Sequence, residues 1–269
     1  MQHATSRQNA RVREAARLIA SARERRKSGR CVLEGAHLVS VYAQRYGTPE
    51  TLLVTDEALA QPEVLALAEC FGNRTLIVSA KLLSELALLP ADVGVLAVVP
   101  VVRPAPGPAA DLCLLLDDVQ DPGNVGSMLR SAAAAGVGQA MLSRHCAFAW
   151  SPKVLRAGQG GHFHLAIHED VDLAAWARAY RDGGGEVVGT VARGGDDLYA
   201  TRLTGRVAIA LGNEGAGLSA AVAEVVTRRV TIPMPGDIES LNVAAAAAVC
   251  LFEVLRQRRE AGTRGPSRE

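Results

Sequence analysis

Residues 231–256 read TIPMPGDIESLNVAAAAAVCLFEVLR, and this stretch organises the reading of the rest. Val230-Thr231-Ile232 is a short extended piece, and Pro233 and Pro235 prevent it from continuing as a strand. Gly236 admits a turn closed to most residues, and Asp237, Glu239 and Ser240 place polar groups before a helix expected from about Leu241. Ala244 to Ala248 give that helix high propensity and a slim surface on which another backbone can lie. A Pro/Gly-shaped loop emptying into a packed helix is a means of presenting backbone to a small ligand.

Upstream, the apolar runs Leu112–Leu116 and Val207–Leu211 read as strands buried on both faces of a mainly parallel sheet. Further strands are expected near Gln139–Leu142, His164–Ile167 and Glu186–Val191. Helices are expected over Asn124–Ala135, Pro152–Ala157 and Leu173–Arg181. This α/β domain, 111–259, is preceded by PVVRPAPGPAA (100–110), a stiff Pro-rich linker. Before the linker, residues 1–99 alternate again. Strands are expected at Cys31–Glu34, Thr51–Val54, Thr75–Val78 and Val93–Val99, and helices at 6–27, Ala36–Arg45, Glu57–Cys70 and from an N-cap at Ser79 to Ala87. The tail, 260–269, lacks apolar periodicity and is expected to be disordered.

Of the 269 residues 49% are apolar, which excludes global disorder. The net charge of +1 conceals an asymmetry, because residues 1–30 hold nine Lys/Arg against two Glu. That basic arm points to a polyanion, most simply nucleic acid, which Arg23, Arg25, Arg26, Lys27 and Arg30 would contact. The five cysteines have no CxxC spacing, and no His stands at ligand spacing, so no metal site is expected. The N-terminus is charged and no apolar run reaches bilayer length, so the expectation is a cytoplasmic protein without a signal peptide or membrane partner.

Three loops follow three apolar strands: Asp117–Arg130, Leu211–Ser219 and the opening stretch. Ligands of open α/β sheets bind beyond the carboxyl ends of strands, where all three lie. GxGxxG at the first strand–helix turn, Walker A and HExxH are all missing from the sequence. Asn124 and Arg130 are six residues apart, about 600° of helical rotation, so Asn124 reads as an N-cap or loop residue with Arg130 a turn or more beyond. An Arg among Val, Met, Leu and Ala is expected to point into a polar site. Glu214, among Gly212, Gly215 and Gly217, can hold a cation or pair with Arg130.

The patterns NxGxxxR (124–130), LGNEGxGLS (211–219) and IPMxGxxxSLNV (232–243), in this order, resemble the three motifs of the SpoU (TrmH-type) RNA ribose 2′-O-methyltransferases of the SPOUT superfamily. RKSGRCVLEG (26–35) is similar to that family's ribosomal-protein-like substrate-binding domain, and SPKVLRA (151–157) to a segment between motifs. The resemblance implies a trefoil-knotted C-terminal domain and a homodimer formed through it, with its sites near the interface. The cofactor it implies is S-adenosylmethionine, leaving as S-adenosylhomocysteine. Gly212, Ile232 and Leu241, with Leu211, Gly217, Met234 and Gly236 around them, would hold this cofactor. Arg130 matches the family's proposed catalytic arginine. Asn124, Glu214, Ser240 and Asn242 match the polar residues of the three motifs, with Glu214 fixing Asn124 or Arg130 and the pair Ser240/Asn242 orienting the ribose. Arg stays protonated in proteins, so Arg130 would polarise the 2′-hydroxyl or stabilise its alkoxide, with the adjacent phosphate as the possible proton acceptor. Ala244 stands where many members place a second small polar residue. Ribosomal RNA is the favoured substrate, and transfer RNA is next. The rival readings are a non-catalytic RNA-binding protein of this fold and a SPOUT enzyme that methylates an RNA base.

Overall fold

The computed structural model describes residues 1–4, 6–86, 94–105, 107–236 and 238–262, which form two compact units. The first comprises Met1–Val102 and, from later in the chain, Trp150–Phe163.

In chain order the first unit contains β1 (Gln2–Ala4), α1 (Ala10–Ala20), α2 (Ala22–Ser28), β2 (Arg30–Glu34), α3 (Ala36–Tyr46), β3 (Thr51–Val54), α4 (Asp56–Leu59), α5 (Pro62–Phe71), β4 (Thr75–Val78), α6 (Ala80–Ser84) and β5 (Val95–Pro100). The strands form one sheet in the order β1-β4-β3-β5-β2, with β5 antiparallel to both neighbours. Val12, Ala15 and Leu18 of α1 are buried with Val32, Leu53, Leu76 and Leu96 of the strands.

Two helices expected to be continuous are broken, each for a local reason. The helix over 6–27 stops at Ser21, whose backbone is extended and whose hydroxyl accepts from Glu24 N at 3.2 Å, capping α2. The helix over 57–70 breaks before Pro62, which lacks an N–H and suits the first position of a new helix. Ser79 caps α6, accepting from Leu82 N at 3.2 Å, whereas the expected helix end at Ala87 and strand start at Val93 lie outside the described residues.

The second unit, Arg103–Ala149 and from His164 on, holds β6 (Leu112–Leu116), α7 (Pro122–Ala134) and β7 (Gln139–Leu142). The chain then supplies α8 (Pro152–Gly158), which belongs to the first unit, where Phe163 packs on Tyr42 with ring centroids 5.5 Å apart. It returns with β8 (Ala166–His168), α9 (Leu173–Asp182), β9 (Glu186–Thr190), β10 (Asp196–Asp197), β11 (Val207–Leu211), α10 (Ala220–Ala223), β12 (Arg228–Thr231) and α11 (Val243–Glu260). All seven strands are parallel, in the order β10-β12-β9-β11-β6-β7-β8. The all-apolar runs β6 and β11 are central neighbours and buried throughout. The alanine helix α11 lies on α7 and β11, where Ala247 and Cys250 are fully buried. Among the described residues no helix is long and apolar enough to cross a membrane.

Candidate active site

Because every strand of the second unit points the same way, the loops after β6, β9, β11 and β12 emerge at one edge of the sheet. The loop after β6 is tied down first. Asp117 is buried, and its carboxylate accepts from Ser219 N at 2.7 Å. Asp118 has φ 57°, an unfavourable region for a residue with a Cβ, and its side chain is fixed by Ser143 Oγ at 2.6 Å. That conformation directs the Asp118 carbonyl to Asn213 Nδ2 at 3.0 Å.

Asn213 in turn folds the loop after β11. Its Oδ1 accepts from Gly215 N at 3.0 Å and Ala216 N at 3.1 Å, and its backbone exchanges two 2.9 Å bonds with Gly217. The hairpin closes so tightly that a Cβ on Gly212 would lie 2.1 Å from the Gly217 carbonyl carbon. Gly217, at φ 71°, takes the left-handed turn that a larger residue resists.

The three loops meet through side chains. Asn124 Nδ2 donates to Glu214 Oε1 at 2.9 Å, and Asn242 Nδ2 donates to Asn124 Oδ1 at 3.0 Å. Each member is held from behind as well. Asn124 N–H donates to Asp121 Oδ1 at 2.8 Å, and Asn242 Oδ1 caps α11 by accepting from Ala244 N at 2.9 Å. Asp121, not Asn124, is therefore the N-cap of α7. Asn124 sits in its first turn because Pro122 starts the helix two residues earlier than expected. The helix expected from Leu241 likewise begins at Val243, with Asn242 as its cap.

Beside this chain lies a cleft of about 820 Å³, within the range of small-ligand sites. Leu211, Gly212, Gly217, Ile232, Met234 and Leu241 line it, as do Glu214, Ser240 and Asn242. Gly236 is not among the lining residues. Leu241 is 40% exposed and Ile238 71% exposed, leaving apolar surface at and beside the cleft. Arg130 stands apart: it is exposed and makes no hydrogen bond or ion pair among the described residues, and Glu214 bonds to Asn124 instead. Two thiols of this unit, neither of them lining the cleft, are poor nucleophiles, since burial pushes Cys250 up to about 12 and also raises Cys146. Among the described residues no group of three His, Cys, Asp or Glu is placed to hold a metal ion.

In the first unit the basic residues divide. Arg23, Arg26 and Lys27 are exposed. Arg25 is buried and donates to the carbonyls of Leu18 and, at 3.0 Å, Ile19, in the last turn of α1. This removes Arg25 from the expected RNA-facing set. Arg30 is half-buried and ion-paired to Glu14 at 3.2 Å and Glu50 at 2.6 Å.

Sequence reasoning missed Asp117, Asp121 and Asn213, whose side chains hold backbone N–H groups, and Asp118, which acts through its own carbonyl. It also missed an ion pair between Arg193 and Glu239, 46 positions apart, both lining the cleft.

Residues 111–252 match the SpoU rRNA Methylase family, and residues 9–97 match an MRM3-like substrate binding domain. An uncharacterised tRNA/rRNA methyltransferase of Synechocystis is 33% identical over 264 residues, covering 97% of this chain and 96% of that one. The 23S rRNA (guanosine(2553)-2′-O)-methyltransferase RlmP of Bacillus subtilis is 32% identical over 232 residues, 86% of this chain and 91% of its own. The crystal structure of the SpoU methyltransferase AviRb from Streptomyces viridochromogenes, in complex with AdoMet, superposes with TM-score 0.83 at 30% identity over 94% of this chain and 99% of that one. The chain belongs to the SpoU rRNA methylase family and is an S-adenosylmethionine-dependent methyltransferase.

Proposed function

We propose that the protein methylates a ribose 2′-hydroxyl of ribosomal RNA. The observation that carries this reading is the Asn242–Asn124–Glu214 chain, which joins the three motif loops at the margin of the cleft. The cleft suits the cofactor. It has apolar walls for a nucleoside at Leu211, Ile232, Met234 and Leu241, and a floor at Gly212 where no side chain fits. Gly212, Ile232 and Leu241, flanked by Leu211, Gly217 and Met234, hold the cofactor, and Gly236 shapes the loop. Bound S-adenosylmethionine supplies an electrophilic methyl group on a sulfonium.

The residues of the chain supply position and charge. Ser240 and Asn242 orient the ribose, and Asn242 does so from a fixed rotamer because both ends of its amide are engaged. Glu214 fixes Asn124 and thereby the start of α7. Arg130 remains protonated, so it serves by donating to the developing alkoxide and to the neighbouring phosphate, which takes the proton. The N-terminal domain, residues 1–99 with the exposed Arg23, Arg26 and Lys27, grips RNA largely through phosphates.

The reading includes a trefoil knot in the C-terminal domain, residues 111–259, a homodimer through that domain, and a cytoplasmic location. The homodimer is supported by α11, where Ala245 and Phe252 are exposed and Val249 and Leu255 partly so, an apolar stripe at helical spacing. Such pairing gives the unengaged Arg130 a place to act near an interface. RlmP's target favours ribosomal over transfer RNA.

The test is transfer of labelled methyl from S-adenosylmethionine to unmodified rRNA and tRNA, followed by nuclease P1 digestion and mass spectrometry. Label on the ribose of rRNA supports the reading. Label on a base, or none on any RNA with a protein that binds the cofactor, overturns it.

A further inference from the structure

Arg193 follows β9 by three residues, at the same edge of the sheet as the motif loops. Its Nη2 lies 3.0 Å from Oε1 of Glu239, and the two side chains are 75% and 78% exposed. Both line the cleft, and among the described lining residues Arg193 is the one cation. The other charged residues described there are the carboxylates Glu214 and Glu239, and Glu214 is already bonded by Asn124.

The charges of the ligand bear on this arrangement. S-adenosylmethionine carries an ammonium and a sulfonium, which suit the two glutamates of the cleft, and a carboxylate, which those glutamates disfavour unless a cation receives it. A guanidinium is shaped to take a carboxylate through two parallel hydrogen bonds. An exposed ion pair contributes little to stability, so Glu239 gives up Arg193 readily to a competing carboxylate. The Glu239 carboxylate thus marks a position on the Arg193 guanidinium that another carboxylate can take.

We propose that Arg193 is the residue that recognises the carboxylate of the cofactor, exchanging Glu239 for it on binding. The inference rests on the assignment of the cleft to S-adenosylmethionine. It makes Arg193 a specificity residue, selecting the amino-acid form of the ligand over adenosyl thioethers that lack the acid.

The test is calorimetric titration of the full chain with S-adenosylhomocysteine and with its decarboxylated thioether, which keeps the amine. Wild type is expected to prefer the carboxylated ligand about tenfold, the scale of one charge-assisted contact. Arg193→Ala is expected to abolish that preference by weakening the carboxylated ligand alone. Arg193→Lys retains part of the preference, and Glu239→Gln keeps the affinity for the carboxylated ligand within about threefold or improves it. Equal weakening of both ligands by Arg193→Ala, or no change in either, overturns the proposal while leaving the cofactor assignment intact. If the folded wild-type protein binds neither ligand, the cofactor assignment fails and takes the inference with it.

Discussion

Asn242 donates a 3.0 Å hydrogen bond to Asn124 across 118 positions of sequence, and Asn124 passes the connection on to Glu214. An Asn uses both halves of its amide in such a relay, accepting through oxygen and donating through nitrogen, which neither Asp nor Ala reproduces. Asn124→Asp is therefore expected to do more harm than Asn124→Ala, because it sets a carboxylate against Glu214. Single-turnover rates should fall about 10–100-fold for Ala and further for Asp, with cofactor affinity little changed. Equal rates for the two variants would show that the relay does not position the site.

Gly212 is sterically committed. A Cβ there would meet Gly217 carbonyl oxygen at 2.2 Å and Leu218 N at 2.3 Å, and these are backbone atoms that cannot swing aside. Gly212→Ala should force the 213–217 hairpin open, lowering stability by about 1–3 kcal/mol and abolishing cofactor binding. Gly215→Ala is the control, since the closest atom to a Cβ there is Asn213 Oδ1 at 3.7 Å. Thermal melts and cofactor titration of the two variants check this, and similar behaviour of the pair would refute the packing argument.

How much of this was legible beforehand follows from what each feature depends on. The buried runs Leu112–Leu116 and Val207–Leu211 fell on β6 and β11 residue for residue, because a parallel strand covered on both faces has no polar positions to blur its ends. The broken helix at Ser21 was invisible to periodicity, since the apolar rhythm of Val12, Ala15, Ala16, Ile19 and Ala20 ends before it and the charged residues 23–27 suit an exposed continuation of the same helix. What stops the helix is a capping hydroxyl that competes for the backbone. The β1 and β10 strands, of three and two residues, are too short to carry a period at all. In the site, the motif residues Asn124, Glu214 and Asn242 could be named, but their partners could not. Asp118 does its work with a carbonyl turned by a φ of 57°, and nothing in the side-chain sequence announces a backbone group.

Arg130 is exposed and unengaged among the described residues, so its removal leaves no buried partner unpaired. Arg130→Ala should accordingly leave the melting temperature and cofactor affinity near wild type. Turnover should fall roughly 10²–10⁴-fold, the range for losing a group that stabilises developing charge. Arg130→Lys keeps the charge but not the fork, and an intermediate rate is expected. Wild-type turnover in Arg130→Ala would strike this residue from the catalytic set.

The basic arm offers a separation of structural from binding roles within five residues. Arg25 is spent on the carbonyls of Leu18 and Ile19, and burial lowers its pKa from the ordinary arginine value, though it remains charged at any physiological pH. Arg25→Ala should uncap the end of α1 and lower stability by about 1–3 kcal/mol, the cost of stranding buried carbonyls. Because Arg25 faces inward, the dependence of RNA affinity on salt should not change. The triple variant Arg23→Ala, Arg26→Ala, Lys27→Ala should behave in the opposite way, with stability nearly unchanged. Its log–log salt slope should be shallower by about 2–3, near the value for three released phosphate contacts. Filter binding across a salt series, paired with melts of both variants, makes the comparison. A slope unchanged in the triple variant would place the RNA on another face of this domain, and a slope altered by Arg25→Ala alone would mean that the buried guanidinium turns outward when RNA arrives.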